Sequence, residues 1–343
     1  MTLVAEAVAR LAGEIQWSVP LEPDPFGRLG TTLGLDGAEV REHLRARSED
    51  GTLREISAIL EGDAFGWESA LVAARVPPER LEAVAAVVNA HPTVTHDYER
   101  RHDYNLWFTL AVPPEMGLER TLEILGAEAG GIRFRPLPRT ATFKIAVRFN
   151  VDSRENESDG PRPAPNFRFR PDERERRMLR ALQRPLPIAE RPFLPLAEAA
   201  GVTEAELLRF GSEHLGKAIR RYAATFRHRR LGVKGNAMVA WRVAGAELAA
   251  AGARLAAAPE VSHCYARRPL EDFPYALYSM VHGPDEESVR GTVARLAETI
   301  GRPEHLLLFS PREFKKCRLR YFLPELERWW TERTSTRAVA SGV

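Results

Sequence analysis

The sequence predicts an α+β protein built as a tandem repeat, each copy a helix-turn-helix followed by a βαββαβ module. Three observations carry that prediction. The run VTHDYERR beginning at Val94 returns as VSHCYARR at Val261, an offset of 167 residues. The same offset superposes Gln16, Pro20, Pro25, Phe26, Gly34, Glu39, Arg54, Arg75 and Pro92 on Gln183, Pro187, Pro192, Phe193, Gly201, Glu206, Arg221, Arg242 and Pro259. A constant offset without gaps over so long a stretch marks a duplication, and repeats decide the fold before any local reading does. Finally, each copy passes from helical periodicity into an alternation of strand and helix patterns.

The elements follow in chain order. In the first copy, PFGRLGTTLGLDGAEVREHLRARSEDG reads as two short helices broken at a glycine. Its partner PFLPLAEAAGVTEAELLRFGSEHLGKAI breaks at Gly201, with Thr203 and Glu206 spaced as a capping box. A basic turn is expected after each pair. ALVAARV from Ala70 has the β-branched and apolar content of a strand, and PPERLEAVAAVVNAH the spacing of a helix. VTHDYERR and YNLWFTLAV are β-rich and joined by a turn at His102-Asp103. A helix over about 118–128 and strand material from Ile132 to Phe149 complete a ferredoxin-like split βαβ order. The second copy repeats it from AMVAWRV through SMVHG to LLLFSPREFKKCRLRYF. Asn150 to Asp172, rich in proline and charge, reads as the linker. The domain reading is a first module over 1–150 (helix-turn-helix about 15–62, βαββαβ about 69–150) and a linker over 151–172. A second module spans 173–330 (about 175–230 and 237–323), and a tail spans 331–343.

Composition narrows the class. With 44% hydrophobic and 28% charged residues the chain is globular. Its 49 basic and 47 acidic residues nearly cancel, without the basic excess typical of a nucleic-acid binder. Cys264 and Cys317 have neither disulfide-framework nor metal-ligand spacing, which suits a reducing cytoplasm. No leader pattern or membrane-spanning apolar run is expected.

A helix-turn-helix joined to a βαββαβ module resembles the Lrp/AsnC family of regulators, which bind DNA and amino-acid effectors. The runs THDYERRHDYNLWFTL, SHCYARRPLEDFPYALYSMVHG and REFKKCRLRYF narrow the resemblance to the siroheme decarboxylases. It covers nearly the whole chain and implies a fused, Lrp/AsnC-like pseudo-heterodimer. The implied reaction converts siroheme to 12,18-didecarboxysiroheme by removing two acetate carboxyl groups in haem biosynthesis. The implied partners are substrate and product, with no membrane, nucleic acid disfavoured, and further homodimerisation left open. The tetrapyrrole ring can itself delocalise the carbanion, so no separate cofactor or protein-bound metal is expected. The iron enters with the substrate, its ligand unassigned.

Strand alternation puts His96, Tyr98 and Arg100 on one face, and His263, Tyr265 and Arg267 on its counterpart. The histidines suit proton donation near neutral pH and the arginines suit carboxylates. His102 and His282 are second candidates for proton delivery or for the iron. Tyr104, Trp107, Tyr275, Arg101 and Arg268 are expected to contact substrate, Trp107 and Tyr275 with core packing as the competing role. Lys144 and Lys315, each after a phenylalanine in the closing strand, are expected to bind propionates. Cys264 falls on the face opposite His263, which argues against a nucleophile. His43, His91, His214, His228 and His305 read as ordinary surface or helix residues.

The chief alternative is a DNA-binding regulator. Asp36, Glu39, Glu42, Glu204, Glu206 and Glu213 on the candidate recognition helices would meet phosphate with like charge, against Arg41, Arg45 and Arg47. A tetrapyrrole carrier without turnover is the third reading.

Overall fold

A computed structural model describes residues 3–149, 156–159, 165–226 and 235–340. His228 and about half of the expected linker, 150–155 and 160–164, lie outside the described residues. The chain forms two compact units that group like with like: residues 1–65, 147–157 and 164–231 in one, and 66–146, 158–163 and 232–343 in the other. Each sequence copy therefore contributes to both units.

The first unit holds both helix-turn-helix segments. Helices α1 (Leu3–Trp17), α2 (Pro25–Leu33) and α3 (Gly37–Glu49) belong to the first copy. Helices α6 (Glu173–Leu182), α7 (Leu194–Ala200) and α8 (Glu204–His214) belong to the second. The turns close on Gly34 (φ 72°) and Gly201 (φ 69°), a left-handed conformation that glycine adopts without steric cost. Thr203 and Glu206 form the expected capping box, and Asp36 with Glu39 forms its equivalent. A short turn does follow each pair, at 50–51 and at 216–218 with Lys217. It leads into a strand the sequence reading lacked, β1 (Leu53–Leu60) and β7 (Ile219–Phe226), paired antiparallel. Ile56, Ala58, Tyr222 and Ala223 bury this ribbon, and short apolar strands beside helices are easily missed by periodicity.

The second unit carries both βαββαβ modules. The first copy supplies β2 (Glu68–Ala74), α4 (Leu81–Asn89), β3 (His96–Glu99), β4 (Leu106–Val112), α5 (Leu118–Glu128) and β5 (Arg135–Phe149). The second supplies β8 (Gly235–Trp241), α9 (Leu248–Ala257), β9 (Val261–Arg267), β10 (Leu277–Gly283) and α10 (Glu286–Thr299). Its closing strand is broken into β11 (His305–Phe309) and β12 (Glu313–Lys316), and α11 (Pro324–Ala340) follows.

One ten-stranded sheet runs β11-β8-β10-β9-β5-β2-β4-β3-β12, with β6 (Asn156–Asp159) against β5. The closing strands are exchanged between copies. Arg135 to Pro138 of β5 pair with β2 of their own copy, whereas Arg139 to Ile145 pair with β9 of the other. Reciprocally, β11 stays on β8 while β12 crosses to β3. Side chains alternate across the sheet, so each copy has a helix-covered face and a helix-free one. Ala237, Val239, Trp241, Leu277 and Val281 pack under α9 and α10. The helix-free faces meet each other: Leu71, Ala73, Trp107 and Leu137 form one buried cluster with Met238, Ala240, Tyr278 and Leu308. At about 1.5–3 kcal/mol per large apolar side chain, this shared layer is a main source of cohesion between the copies.

Candidate active site

The His-x-Tyr-x-Arg row lies on the helix-free face in both copies. Tyr98 stands opposite Trp107 across β3 and β4, and Tyr265 opposite Tyr278 across β9 and β10. Trp107 and Tyr278 belong to the buried layer, so both rows run along its margin. Ring centroids are 6.2 Å apart for His96 and Tyr98 and 6.1 Å for His263 and Tyr265. The guanidinium carbons of Arg100 and Arg267 lie over the adjacent tyrosine rings at 5.1 and 5.4 Å.

The arginines have a partner that the sequence does not disclose. Arg100 Nη1 donates to the Leu308 carbonyl oxygen at 2.7 Å, and Arg267 Nη1 to that of Leu137 at 2.9 Å. Each guanidinium thus ties its own copy to the other copy's closing strand. Burial lowers both to about 10, which leaves them cationic at neutral pH. Arg100 is only 5% exposed, and the Nε of each arginine is a buried donor without a hydrogen-bond partner.

Each histidine ring is fixed through Nδ1 by the preceding hydroxyl residue. Thr95 Oγ1 lies 2.9 Å from His96 Nδ1 and 2.8 Å from Thr109 Oγ1. Ser262 Oγ lies 2.9 Å from His263 Nδ1 and 2.6 Å from His282 Nε2. Burial, with Lys316 adding its charge, lowers His282 to about 4 and keeps it neutral.

Lys316 is the residue the sequence reading passed over. It pairs directly with His96 across β12 and β3, so both side chains share the helix-free face. Lys315, the expected propionate ligand, points to the other face and donates to the carbonyls of Asn89 (2.8 Å) and His91 (3.3 Å) at the end of α4. Lys144 does the same at the end of α9, donating to Ala258 O at 2.8 Å. Both ammoniums cap helices of the opposite copy, where a cation offsets exposed carbonyl dipoles. The period-two alternation that set His96 apart from Asp97 would have set Lys316 apart from Lys315, had the β12–β3 pairing been known.

The other expected contacts are distributed as follows. Trp107 and Tyr278 are 1% and 2% exposed and donate to the carbonyls of Tyr104 (2.6 Å) and Tyr275 (3.0 Å), matching core roles in the two copies. Tyr104 donates to Asp272 at 2.9 Å, with Arg75 at 3.1 Å from the same carboxylate. Tyr275 donates to Glu304 at 2.9 Å, with Arg242 alongside. His102 accepts from the Tyr104 amide at 3.0 Å and stacks on its ring, and burial lowers its pKa. Arg101 pairs with Glu286 at 3.5 Å, and Arg268 lines a 280 Å³ cleft with Arg133, Arg135 and Glu119. None of these groups lies on the two histidine rows. Cys264 faces α9, and burial pushes its thiol up to about 12, which leaves it inert.

His91 corrects an expectation. It is fully buried rather than at the surface, with Trp329 of α11 edge-on at 4.3 Å. Among the described residues no group of His, Cys, Asp or Glu is arranged to hold a metal ion, and no helix is long and apolar enough to cross a membrane.

Fold and site together define a class: a fused pair of AsnC-like modules with a duplicated histidine row. The AsnC-like ligand binding domain matches residues 64–144 and 230–315, and the siroheme decarboxylase NirDL-like HTH domain matches residues 175–211. A siroheme decarboxylase of Hydrogenobacter thermophilus is 39% identical over 326 residues, covering 93% of this chain and 96% of the relative. The siroheme decarboxylase alpha subunit of Desulfovibrio desulfuricans is 42% identical and covers 40% of this chain with 80% of its own length. A crystal structure of the siroheme decarboxylase NirDL with an iron-uroporphyrin III analogue superposes with a TM-score of 0.77 at 33% identity, covering 97% of this chain and 99% of that one. The chain belongs to the siroheme decarboxylase family.

Proposed function

We propose that this chain removes carboxyl groups from acetate side chains of siroheme, converting it to 12,18-didecarboxysiroheme as a carboxy-lyase. The observation that carries the reading is the duplicated His-Tyr-Arg row on equivalent sheet faces, in a chain alike to a siroheme decarboxylase over 93% of its length. In this reading Lys316 and the imidazole of His96 meet a substrate carboxylate, and Tyr98 and Tyr265 offer flat surface to the macrocycle. Loss of carbon dioxide leaves an electron pair on the methylene carbon, delocalised by the ring, and an imidazole N–H then supplies the proton. His96 and His263 are the candidate donors. Arg100 and Arg267 serve the reading indirectly, by fixing the strands that carry the rows.

The regulator reading loses support from the helices that would read DNA. On α3, Arg41 is held by Asp24 (3.7 Å) and Glu190 (3.5 Å), and Arg45 donates to Ile188 O at 2.9 Å. Those cations are committed within their own unit. Anaerobic incubation with siroheme, followed by mass spectrometry, tests the proposal: two successive losses of carbon dioxide are expected. Unchanged substrate mass, together with a salt-dependent shift of duplex DNA, would reverse it in favour of a regulator.

A further inference from the structure

The two histidine rows are not equivalent: the hydroxyl beside His263 reaches a second imidazole, whereas the one beside His96 reaches a second hydroxyl. Met280 pairs with His263, yet the next residue, Val281, pairs with Val261, so Ser262 is an extra residue in β9. The bulge reverses the alternation: Cys264 and Val261 both enter the helix-side core, although a regular strand would place them on opposite faces. Ser262, 1% exposed, is thereby aimed between two imidazoles. Alternation along β10 puts His282 on the face of Tyr278 and Met280, the face of His263. In the first copy Thr95 holds His96 in the same way, but its contacts run on to the Thr109 hydroxyl. The offset is 171 residues in this stretch, relating Trp107 to Tyr278, and it brings Ala111 to the position of His282. Among the described residues the Thr95 hydroxyl meets no second imidazole.

We propose that Ser262 and His282 are positioning residues that act through His263, holding its ring in the Nε2–H form and reloading it with a solvent proton. This inference rests on the decarboxylase reading above. His282 Nε2–H donates to Ser262 Oγ, Ser262 O–H donates to His263 Nδ1, and the remaining proton of His263 stays on Nε2. When the C–C bond to the carboxylate breaks and carbon dioxide leaves, the electron pair on the methylene carbon takes the Nε2 proton. Nδ1 then takes the serine proton, Ser262 Oγ takes the Nε2 proton of His282, and His282 Nδ1 takes a proton from water. The starting tautomers return when His263 Nε2 takes a proton from a second water, Nδ1 hands its proton back through Ser262 to His282 Nε2, and His282 Nδ1 gives its own to the hydroxide left by the first water. Per turnover one solvent proton ends in a C–H bond, and the remaining hydroxide combines with carbon dioxide as bicarbonate. Burial keeps His282 neutral, as a relay between neutral rings needs.

Full-length Ser262→Ala, Ser262→Thr and His282→Gln are compared with the parent protein in anaerobic siroheme turnover, with folding checked by circular dichroism. Ser262→Ala and His282→Gln are expected to lower kcat about 10-fold or more while KM stays within about twofold. Ser262→Thr, which copies Thr95, restores most of the loss. In 15N-histidine spectra without substrate, His263 is Nε2–H in the parent and a tautomer mixture in Ser262→Ala. An active parent with Ser262→Ala at parental kcat and an unchanged His263 tautomer overturns the relay. An inactive parent overturns the decarboxylase reading instead, and the tautomer comparison then decides whether Ser262 holds the ring. If His282→Gln fails to fold, Ser262→Ala carries the test alone.

Discussion

The guanidinium of Arg100 donates to the backbone carbonyl of Leu308, 208 residues away, at 2.7 Å. The bond crosses from the β3 edge of the first copy to β11 of the second, and Arg267 returns the contact at Leu137. Hydrogen bonds from a charged donor contribute about 1.5–3 kcal/mol. Arg100→Ala and Arg267→Ala should therefore each lower unfolding free energy by about 2 kcal/mol, measured by urea denaturation. A loss under about 0.5 kcal/mol for both would show that the crossing bonds are incidental.

The adjacent lysines make a sharper contrast. Lys316→Met should raise KM for siroheme about 10-fold or more with little change in melting temperature, because its side chain shares the face of His96. Lys315→Met should leave KM alone and cost about 1 kcal/mol of stability by uncapping α4. The opposite pattern would mean that the carboxylate side of the site is the helical face.

His96→Ala and His263→Ala should differ in kind. Loss of a general acid costs about 100-fold or more in rate, and His263, backed by Ser262 and His282, is expected to show that loss in kcat. His96 stands beside Lys316 and should act mainly through KM. Single-turnover kinetics with mass detection of each product checks the split. Equal kcat losses in both variants would make the two rows equivalent donors.

Two buried groups on the helical side give stability opposite pH slopes. Asp97 is fully buried, and burial pushes its carboxyl up to about 7 from an ordinary 3.8. The folded chain holds that proton where the unfolded chain has lost it, so this contribution is complete below pH 3.8 and drains away as pH rises to 7. His91 runs the other way. Burial lowers it to about 3 from 6.5, so its contribution is complete above pH 6.5 and is lost as pH falls towards 3.

Asp97→Asn should consequently gain melting temperature relative to the parent as pH goes from 5 to 8, with a slope of up to about 1.4 kcal/mol per pH unit. His91→Gln should gain relative to the parent as pH falls from 6.5 to 4. A thermal series at several pH values checks both, and parallel curves would show that neither group titrates differently on folding.

Much of this architecture was legible before any coordinates. The offset between Val94 and Val261 announced the duplication, and Gly201 with Thr203 and Glu206 marked a helix-turn-helix. The shared face of His96, Tyr98 and Arg100 followed from a period of two. What escaped was whatever depends on a neighbour distant in sequence. The side of the sheet on which Lys144 and Lys315 act depends on β5 and β12 crossing to the other copy. His91 looked ordinary because nothing local reveals that Trp329 will cover it.

The sequence alone determined the repeat, the βαββαβ order within each copy and the duplicated row of His, Tyr and Arg. Those features rest on local periodicity, capping and turn chemistry, all acting within a few residues. Only the tertiary structure decided that closing strands are exchanged, that Arg100 and Arg267 bridge copies, and that Lys316 rather than Lys315 stands by His96. It also placed the bulge that puts Ser262 between His263 and His282. Strand pairing between residues hundreds of positions apart is set by burial of a shared apolar layer, and a one-residue slip in register reverses every side chain.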